Sequence, residues 1–299
     1  MRNFIRHDGA HVADGAHVAG VDWEAAWCAY QGTRAAPADA EAWDARAAKY
    51  GATDVDAGAY ERRFLELAAI RPGETVLDMG CGVGLLAIPL ARTGCRVVCA
   101  DFSRGMLDEL TRRAEAAGVT DRLDVRLLAW DDDWDAAGLG EDAVDVAIAS
   151  RSLATEHLTH ALASLDRVAR RRVCGTVAAD RSPRADDRAF EAIGRRRTRV
   201  ADDVYCLNVL LDHGLHPDLT YLASHGWPAF RDRAQAHERL AAMVGGDLSA
   251  QESARLDAFL DAHYAIDPDE RPGSSRAYRS DAPRHVRWAF IAWGDEHAG

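Results

Sequence analysis

A single lysine, Lys49, stands among the 36 lysines and arginines of this 299-residue chain. Arginine is the default cation here, so an arginine at any one position says less than usual about bidentate anion recognition. Long apolar runs are missing as well. None approaches the ~20 residues that span a bilayer, and residues 1–20 lack the apolar segment of a secretory signal. A cytoplasmic protein without a membrane partner is expected. The six cysteines (Cys28, Cys81, Cys95, Cys99, Cys174 and Cys206) include no C-x-x-C pair. That spacing argues against a zinc knuckle or a redox dithiol, and reduced core thiols and no metal are expected. Positive charge is in deficit: the formal net charge of −12 repels phosphate backbones and disfavours nucleic acid as a partner. Two arginine runs, 170–172 and 195–199, are flanked by Asp166, Asp180, Asp202 and Asp203 and are expected to be solvated.

What is present is enough apolar side chain, 48% of residues, to bury a sizeable core in one large domain with an appended helical portion. Residues 1–20 hold a tandem hexapeptide, 8–13 and 14–19, with His7, His11 and His17. Two copies cannot build a solenoid, and a flexible tail is expected. Residues 21–70 read as a helical extension. Trp23, Ala26, Trp27 and Tyr30 share one face; Ala42, Trp43, Arg46, Ala47 and Tyr50 form a second helix behind Asp39; Tyr60, Phe64, Leu67 and Ala68 form a third.

The domain proper is expected over 71–299. Strands at 75–78, 96–101, 124–129, 144–149 and 172–179 alternate with helices at 85–92, 106–117 and 155–169. That order predicts parallel pairing with right-handed crossovers: an α/β fold with a doubly wound, mostly parallel seven-stranded sheet and helices on both faces. The last third predicts a helix over 187–213 ending at Gly214 and a strand at 216–223. A capping box at Ser249 and Glu252 opens a helix to Tyr264, a loop covers 267–283, and the final strand runs over 285–293. Residues 231–264 then form a helical insertion near the C-terminus.

The chemistry concentrates at 75–84, Thr-Val-Leu-Asp-Met-Gly-Cys-Gly-Val-Gly. A strand enters a glycine turn and a helix follows, so backbone N–H groups can approach a ligand closely. A dinucleotide fingerprint, G-x-G-x-x-G, would need its third glycine at position 85, which is Leu85. Asp78, two residues before the first glycine, would oppose a pyrophosphate and suit an ammonium or sulfonium. The segment resembles motif I of the class I S-adenosylmethionine (SAM)-dependent methyltransferases at Asp78, Gly80, Gly82 and Gly84. The resemblance implies that this turn, Cys81 included, wraps the methionine part of SAM and that Asp78 helps hold its amino group. Asp101 ends the next strand, where a carboxylate can accept from both ribose hydroxyls; it matches the motif II acid and is expected to face solvent without the cofactor. Phe102 follows it. At the third strand end the resemblance implies an aspartate at the adenine amino group, Asp131 with Asp132 as the neighbour not separated from it, and Trp130 against the ring or in the core. Ser150 ends the fourth strand on the cofactor side.

The resemblance covers about residues 43–180. It lacks the N/D-P-P-Y/F signature of amino-methylating nucleic-acid enzymes. A small-molecule acceptor is expected, because Trp23, Trp27, Tyr30, Trp43, Tyr50, Tyr221, Trp227 and Phe230 could close an apolar pocket and the insertion could act as a lid. RNA or protein methylation, NAD(P)-dependent oxidoreduction and SAM binding without catalysis are the alternatives. No catalytic residue is assigned; His157, His160 and Tyr205 are polar candidates.

Overall fold

The computed structural model describes residues 20–33, 39–47, 58–180, 186–196, 200–271, 274 and 276–294. The hexapeptide repeat with its histidines, Tyr50, Arg197 and Arg199 lie outside the described residues. Three helices come first: α1 (Trp23–Gly32), α2 (Ala40–Asp44) and α3 (Ala59–Ala68). The side chains of Asp22 and Asp39 accept from Ala25 and Ala42 N–H and so cap the first two. Strands and helices then alternate through β1 (Thr75–Met79), α4 (Ala87–Arg92), β2 (Arg96–Asp101), α5 (Arg104–Ala117), β3 (Leu123–Leu127), β4 (Val144–Ser150), α6 (Leu158–Val168) and β5 (Ala169–Ala179). The chain continues through α7 (Asp187–Ile193), α8 (Asp202–Asp212), β6 (Asp218–Gly226), β7 (Ala229–Phe230), α9 (Arg233–Met243), α10 (Ala250–His263), β8 (Tyr264–Ile266), β9 (Tyr278–Ser280) and β10 (Arg284–Gly294).

Seven strands build one sheet in the order β3-β2-β1-β4-β5-β10-β6. β1 to β5 pair in parallel, and β10 is antiparallel to both its neighbours. The doubly wound, mostly parallel sheet expected from the alternation is therefore the one that forms. Its central strands are covered on both faces, which is why they read as near-continuous apolar runs. One face packs α1, α6 and α8 through Trp27, Leu162, Leu165, Leu210 and Trp293. The other packs α3, α4 and α5 through Phe64, Leu90, Leu110, Trp288 and Phe290. Cys95, Cys99, Cys174 and Cys206 are buried free thiols, as expected of core cysteines. No helix among the described residues is long and apolar enough to cross a membrane.

The last third departs from the expected outline. The helix expected over 187–213 is two helices, because Gly194 adopts φ +80° and closes α7 with a left-handed C-cap. The loop expected over 267–283 contains β9, which pairs with β7 and β8 in a separate three-stranded sheet. The insertion is also larger than 231–264. Ala189 and Ile193 of α7 share a third apolar core with Leu240, Leu256, Phe259, Leu260 and Tyr278. The capping box at Ser249 and Glu252 forms as expected.

The first arginine run is not a solvated tract; of the second, Arg195 is engaged and Arg196 is exposed. β5 begins at Ala169, so the first run enters the strand and Arg171 and Arg172 are buried. Arg171 donates to both Glu74 oxygens at 2.8 and 2.9 Å and to the Ala69 carbonyl at 3.3 Å. Arg195 donates to Glu252 at 2.7 and 3.1 Å and to the Val244, Gly246 and Asp247 carbonyls just beyond α9, a favourable place for a cation at a helix C-terminus.

Burial separates the effects of neighbouring arginines. Arg171→Ala strands Glu74, whose side chain is only 13% exposed, and should cost about 3–5 kcal/mol. Arg170 pairs with Asp145 at 3.0 Å but is 51% exposed, so Arg170→Ala should cost under about 1 kcal/mol. Urea unfolding of the two variants checks this; equal losses would contradict it.

Candidate functional site

The strand order reverses between β1 and β4, and the crevice at the C-terminal strand ends opens there. Asp78 lies in β1, and the glycine turn that follows is fixed to β2: Gly80 and Cys81 N–H donate to the Ala100 carbonyl at 2.7 and 3.1 Å. Gly80 has φ +73°, and a Cβ there would stand 2.3 Å from the Ser152 Cβ. Any side chain would push the turn off β4, so glycine is required. Ser152 donates in turn to the Met79 carbonyl at 2.7 Å. Gly82 also has a positive φ, +53°, but a Cβ there would meet nothing within 4 Å: this part of the turn faces open space. Gly84 closes the turn by donating to the Cys81 carbonyl at 3.0 Å. The Cys81 thiol points inward; burial, then its neighbour Cys99, pushes its pKa up.

The two strand-tip carboxylates are buried. Asp78 is 2% exposed, and no described residue donates a hydrogen bond to it. Burial, reinforced by the charge of Asp101, pushes its pKa up to about 7. Asp101 is 6% exposed, which corrects the expectation that it faces solvent. One oxygen accepts from Gly82 N–H and the other from Ser103 N–H, each at 2.9 Å. Burial raises its pKa while those N–H groups pull the other way. Each oxygen retains a further lone pair for a ligand hydroxyl.

The flanking residues take distinct positions. Phe102 is 41% exposed beside Asp101. Ser103 caps α5, and its hydroxyl donates to Asp44 of α2 at 2.5 Å while Gly105 N–H donates to the same oxygen at 2.8 Å. Those bonds hold the Asp44 pKa below its usual value. Beyond β3, Asp132 accepts from Ala129 N–H at 2.7 Å and Asp133 from Ala136 N–H at 3.0 Å. Asp131 is exposed and makes neither turn bond. Trp130 is half-buried and donates its indole N–H to the Ser152 carbonyl at 3.1 Å, tying the β3 exit to the glycine turn.

Sequence reasoning missed the group at the tips of β4 and β5. Tyr60 shares hydrogen bonds with Ser150 at 2.8 Å and Thr176 at 2.6 Å. Arg151, at φ +62°, lays its guanidinium 4.4 Å from the Tyr60 ring centre and 5.8 Å from that of Trp288, with Glu61 at 3.5 Å. Burial pushes the Tyr60 phenol pKa up. No local pattern signals this cluster.

Several expected pocket residues have other partners. Trp23, Trp27 and Tyr30 pack on Tyr205, with Tyr30 and Tyr205 stacked at 4.8 Å. These rings fasten α1 to α8, and Tyr205 is spent there. Trp43 joins Val83 and Met106 behind the glycine turn. Tyr221 is half exposed under Arg287, Trp227 faces Arg279, and Phe230 packs on Tyr264. His157 stands 3.9 Å from Glu24, and His160 is exposed on α6.

Comparison with known proteins agrees with this geometry. The family model described as a methyltransferase domain matches residues 76–172, the stretch from β1 into β5. An uncharacterized protein of Haemophilus influenzae is 31% identical over 255 residues, 84% of this chain and 88% of that protein. A demethylmenaquinone methyltransferase of Beutenbergia cavernae is 43% identical over 68 residues, 21% of this chain and 28% of that enzyme. A solved SAM-dependent methyltransferase from Aquifex aeolicus aligns at 15% identity over 61% of this chain and 91% of its own, with a TM-score of 0.45. The match begins in the strand that carries Asp78 and takes in the glycine turn and Asp101: the chain belongs to the class I SAM-dependent methyltransferases, and SAM is its cofactor.

Proposed function

We propose that this enzyme methylates a small-molecule acceptor bound over the C-terminal edge of the sheet, between the glycine turn and the insertion. The observation that carries the cofactor placement is Asp78, a buried carboxylate with no donor among the described residues, held near neutrality by its own desolvation. Such a group favours a cation, and the SAM ammonium supplies one. Asp101 is proposed to accept from the ribose hydroxyls, and the backbone of Gly80, Cys81, Gly82 and Gly84 to line the methionine part. Asp131 is preferred over Asp132 for the adenine amino group, because Asp132 is engaged in its own turn. Phe102, Trp130 and Ser150 are proposed to border the cofactor. SAM supplies an electrophilic methyl on sulfonium; the chain's residues orient the partners in line and exclude water.

Topology supports the acceptor side. β6 ends and β10 begins at this edge, with Gly226 opposite Arg284. Residues 227–283 must therefore rise from the edge that carries Asp78 and Asp101. We read 21–70 as a helical extension and 71–299 as the catalytic domain with this insertion inside it, in a cytoplasmic enzyme. The small-molecule reading also gains from three arginines of the runs: Arg171 and Arg172 are buried and Arg195 is paired with Glu252, which makes each a poor anchor for a phosphate backbone.

Three outcomes test this. With Asp78 at about 7, SAM affinity should rise about tenfold from pH 6 to pH 8 as the carboxylate ionises. Calorimetry at both pH values checks it, and Asp78→Asn should abolish the dependence. The folded pKa is raised, so stability tied to neutral Asp78 is complete below about 4 and lost as pH climbs through about 7. Asp78→Asn should therefore melt higher than wild type at pH 8 while binding SAM poorly.

Asp101→Ala should weaken SAM binding by about 1–3 kcal/mol and lower the melting temperature, because Gly82 and Ser103 N–H lose their acceptor. Unchanged SAM affinity would place the ribose elsewhere.

Labelled SAM incubated with fractionated cell extract reads the acceptor directly. Label should enter the low-molecular-mass fraction, and residues 233–263 should gain amide-exchange protection when S-adenosylhomocysteine and that fraction bind together. Label in RNA or protein would overturn the small-molecule reading.

A further inference from the structure

A second group of chemistry-bearing side chains lies where α1 meets α6, apart from the glycine turn. Glu24 and Cys28 stand one helical turn apart on α1, so both leave the same face. His157 occupies the residue before α6 and turns toward them. The carboxylate, Sγ and imidazole nitrogen all lie within 4.8 Å of one another. His157 Nδ1 is 3.9 Å from one Glu24 oxygen, and the Cys28 thiol donates to the Glu156 carbonyl at 3.6 Å.

The frame around the three is fixed. The other Glu24 oxygen accepts from the Thr159 N–H at 2.9 Å and hydroxyl at 2.6 Å, and the Trp27 indole donates to the Thr155 carbonyl at 2.9 Å. Capping α6 therefore occupies one Glu24 oxygen and leaves the second facing His157. Cys28 is the one exposed thiol of the six cysteines. Alongside runs a cleft of about 440 Å³ lined in part by Asp22, Glu24, Thr159, Asp212 and His213, an acidic approach for a hydrated ion.

We propose that Glu24, Cys28 and His157 form a binding site for a divalent cation of the zinc class, which fastens α1 to the start of α6. One carboxylate, one thiolate and one imidazole are a borderline-soft set of the kind that ion takes, with water as the fourth ligand. Neighbouring ligand atoms in a tetrahedral zinc site are about 3.3–3.8 Å apart. Binding therefore requires the exposed Cys28 and His157 side chains to draw the ligand atoms in from their present separation of up to 4.8 Å. On binding, the Cys28 S–H gives its proton to solvent, His157 coordinates as the neutral ring, and the bond to the Glu156 carbonyl is given up. The proposal does not rest on the identity of the methyl acceptor.

Cobalt(II) and zinc titrations of the full chain, stripped with chelator, test the site. One equivalent of cobalt should produce a thiolate-to-metal charge-transfer band, and zinc should displace it and raise the melting temperature. Cys28→Ser should abolish the band; Cys28→Ser and His157→Gln should each weaken zinc binding by about a hundredfold and remove the thermal gain. Wild-type SAM affinity in both variants establishes that they fold. The proposal is overturned by the absence of a band in wild type, by a band that survives Cys28→Ser, or by zinc binding of wild-type strength in both variants.

Discussion

Two carboxylates buried at neighbouring strand tips, with one glycine turn folded between them, set the terms for the rest of the molecule. Asp101 is bound by the turn itself, through Gly82, and by the cap of α5, through Ser103. Asp78 has no such donor and stays near neutrality. Burying a carboxylate without a partner is costly, and the fold holds Asp78 there by fixing the turn from three sides. The Ala100 carbonyl anchors its backbone, Ser152 blocks any side chain at position 80, and Asp44 pins the start of α5 beside it. The asymmetry between the two acids is the feature on which the proposed placement rests: a cation suits Asp78, and hydroxyls suit the remaining lone pairs of Asp101.

That fixed turn also explains why the exits of β3 and β4 are coupled. Trp130 leaves β3 and donates to the Ser152 carbonyl, and Ser152 donates to Met79. A movement of the β4 exit would therefore disturb both the turn and the half-buried tryptophan. Arg151, next in the chain, holds a left-handed conformation that an arginine rarely adopts. Its backbone N–H donates to the Thr176 carbonyl, and its guanidinium lies over Tyr60. These contacts hold the conformation in place, and backbone strain of this kind tends to sit where a fold is shaped for a ligand.

The sheet and the glycine turn were legible because their signals are local. Apolar runs of strand length alternate with amphipathic helices, and Asp78, Gly80, Gly82 and Gly84 lie within seven residues. What was not legible depends on contacts distant in sequence. Arg171 reads as part of a charged run until Glu74, 97 residues away, is seen beside it. Tyr60 meets Thr176 across 116 residues. The aromatics of α1 look like pocket walls in sequence and prove to be a seam against Tyr205. β9 is only three residues long, too short for its alternation to stand out beside a Gly/Pro/Ser-rich stretch. Gly194 carries no sign in sequence of the left-handed backbone that ends α7.

The insertion is built on a different principle from the sheet. Its apolar core is small and closed, formed by Leu240, Leu256, Phe259, Leu260 and Tyr264 with α7 packed on it. Arginines stitch its rim: Arg188 reaches Asp186, Ser280 and Asp281, Arg195 reaches Glu252, and Arg233 reaches Asp257 and Asp261. The exposed pairs of Arg233 contribute little each, but together with the half-buried ones they satisfy charges at the ends and faces of α7, α9 and α10 without asking the sheet for partners. A unit with its own core and its own charge partners keeps its internal shape when its contacts with the rest of the protein change. Its chain connections leave from the ends of β5, β6 and β10, at the edge where the glycine turn lies. The glycine turn and its buried carboxylates are thus held by the sheet, and the insertion can vary or move as a body without disturbing them.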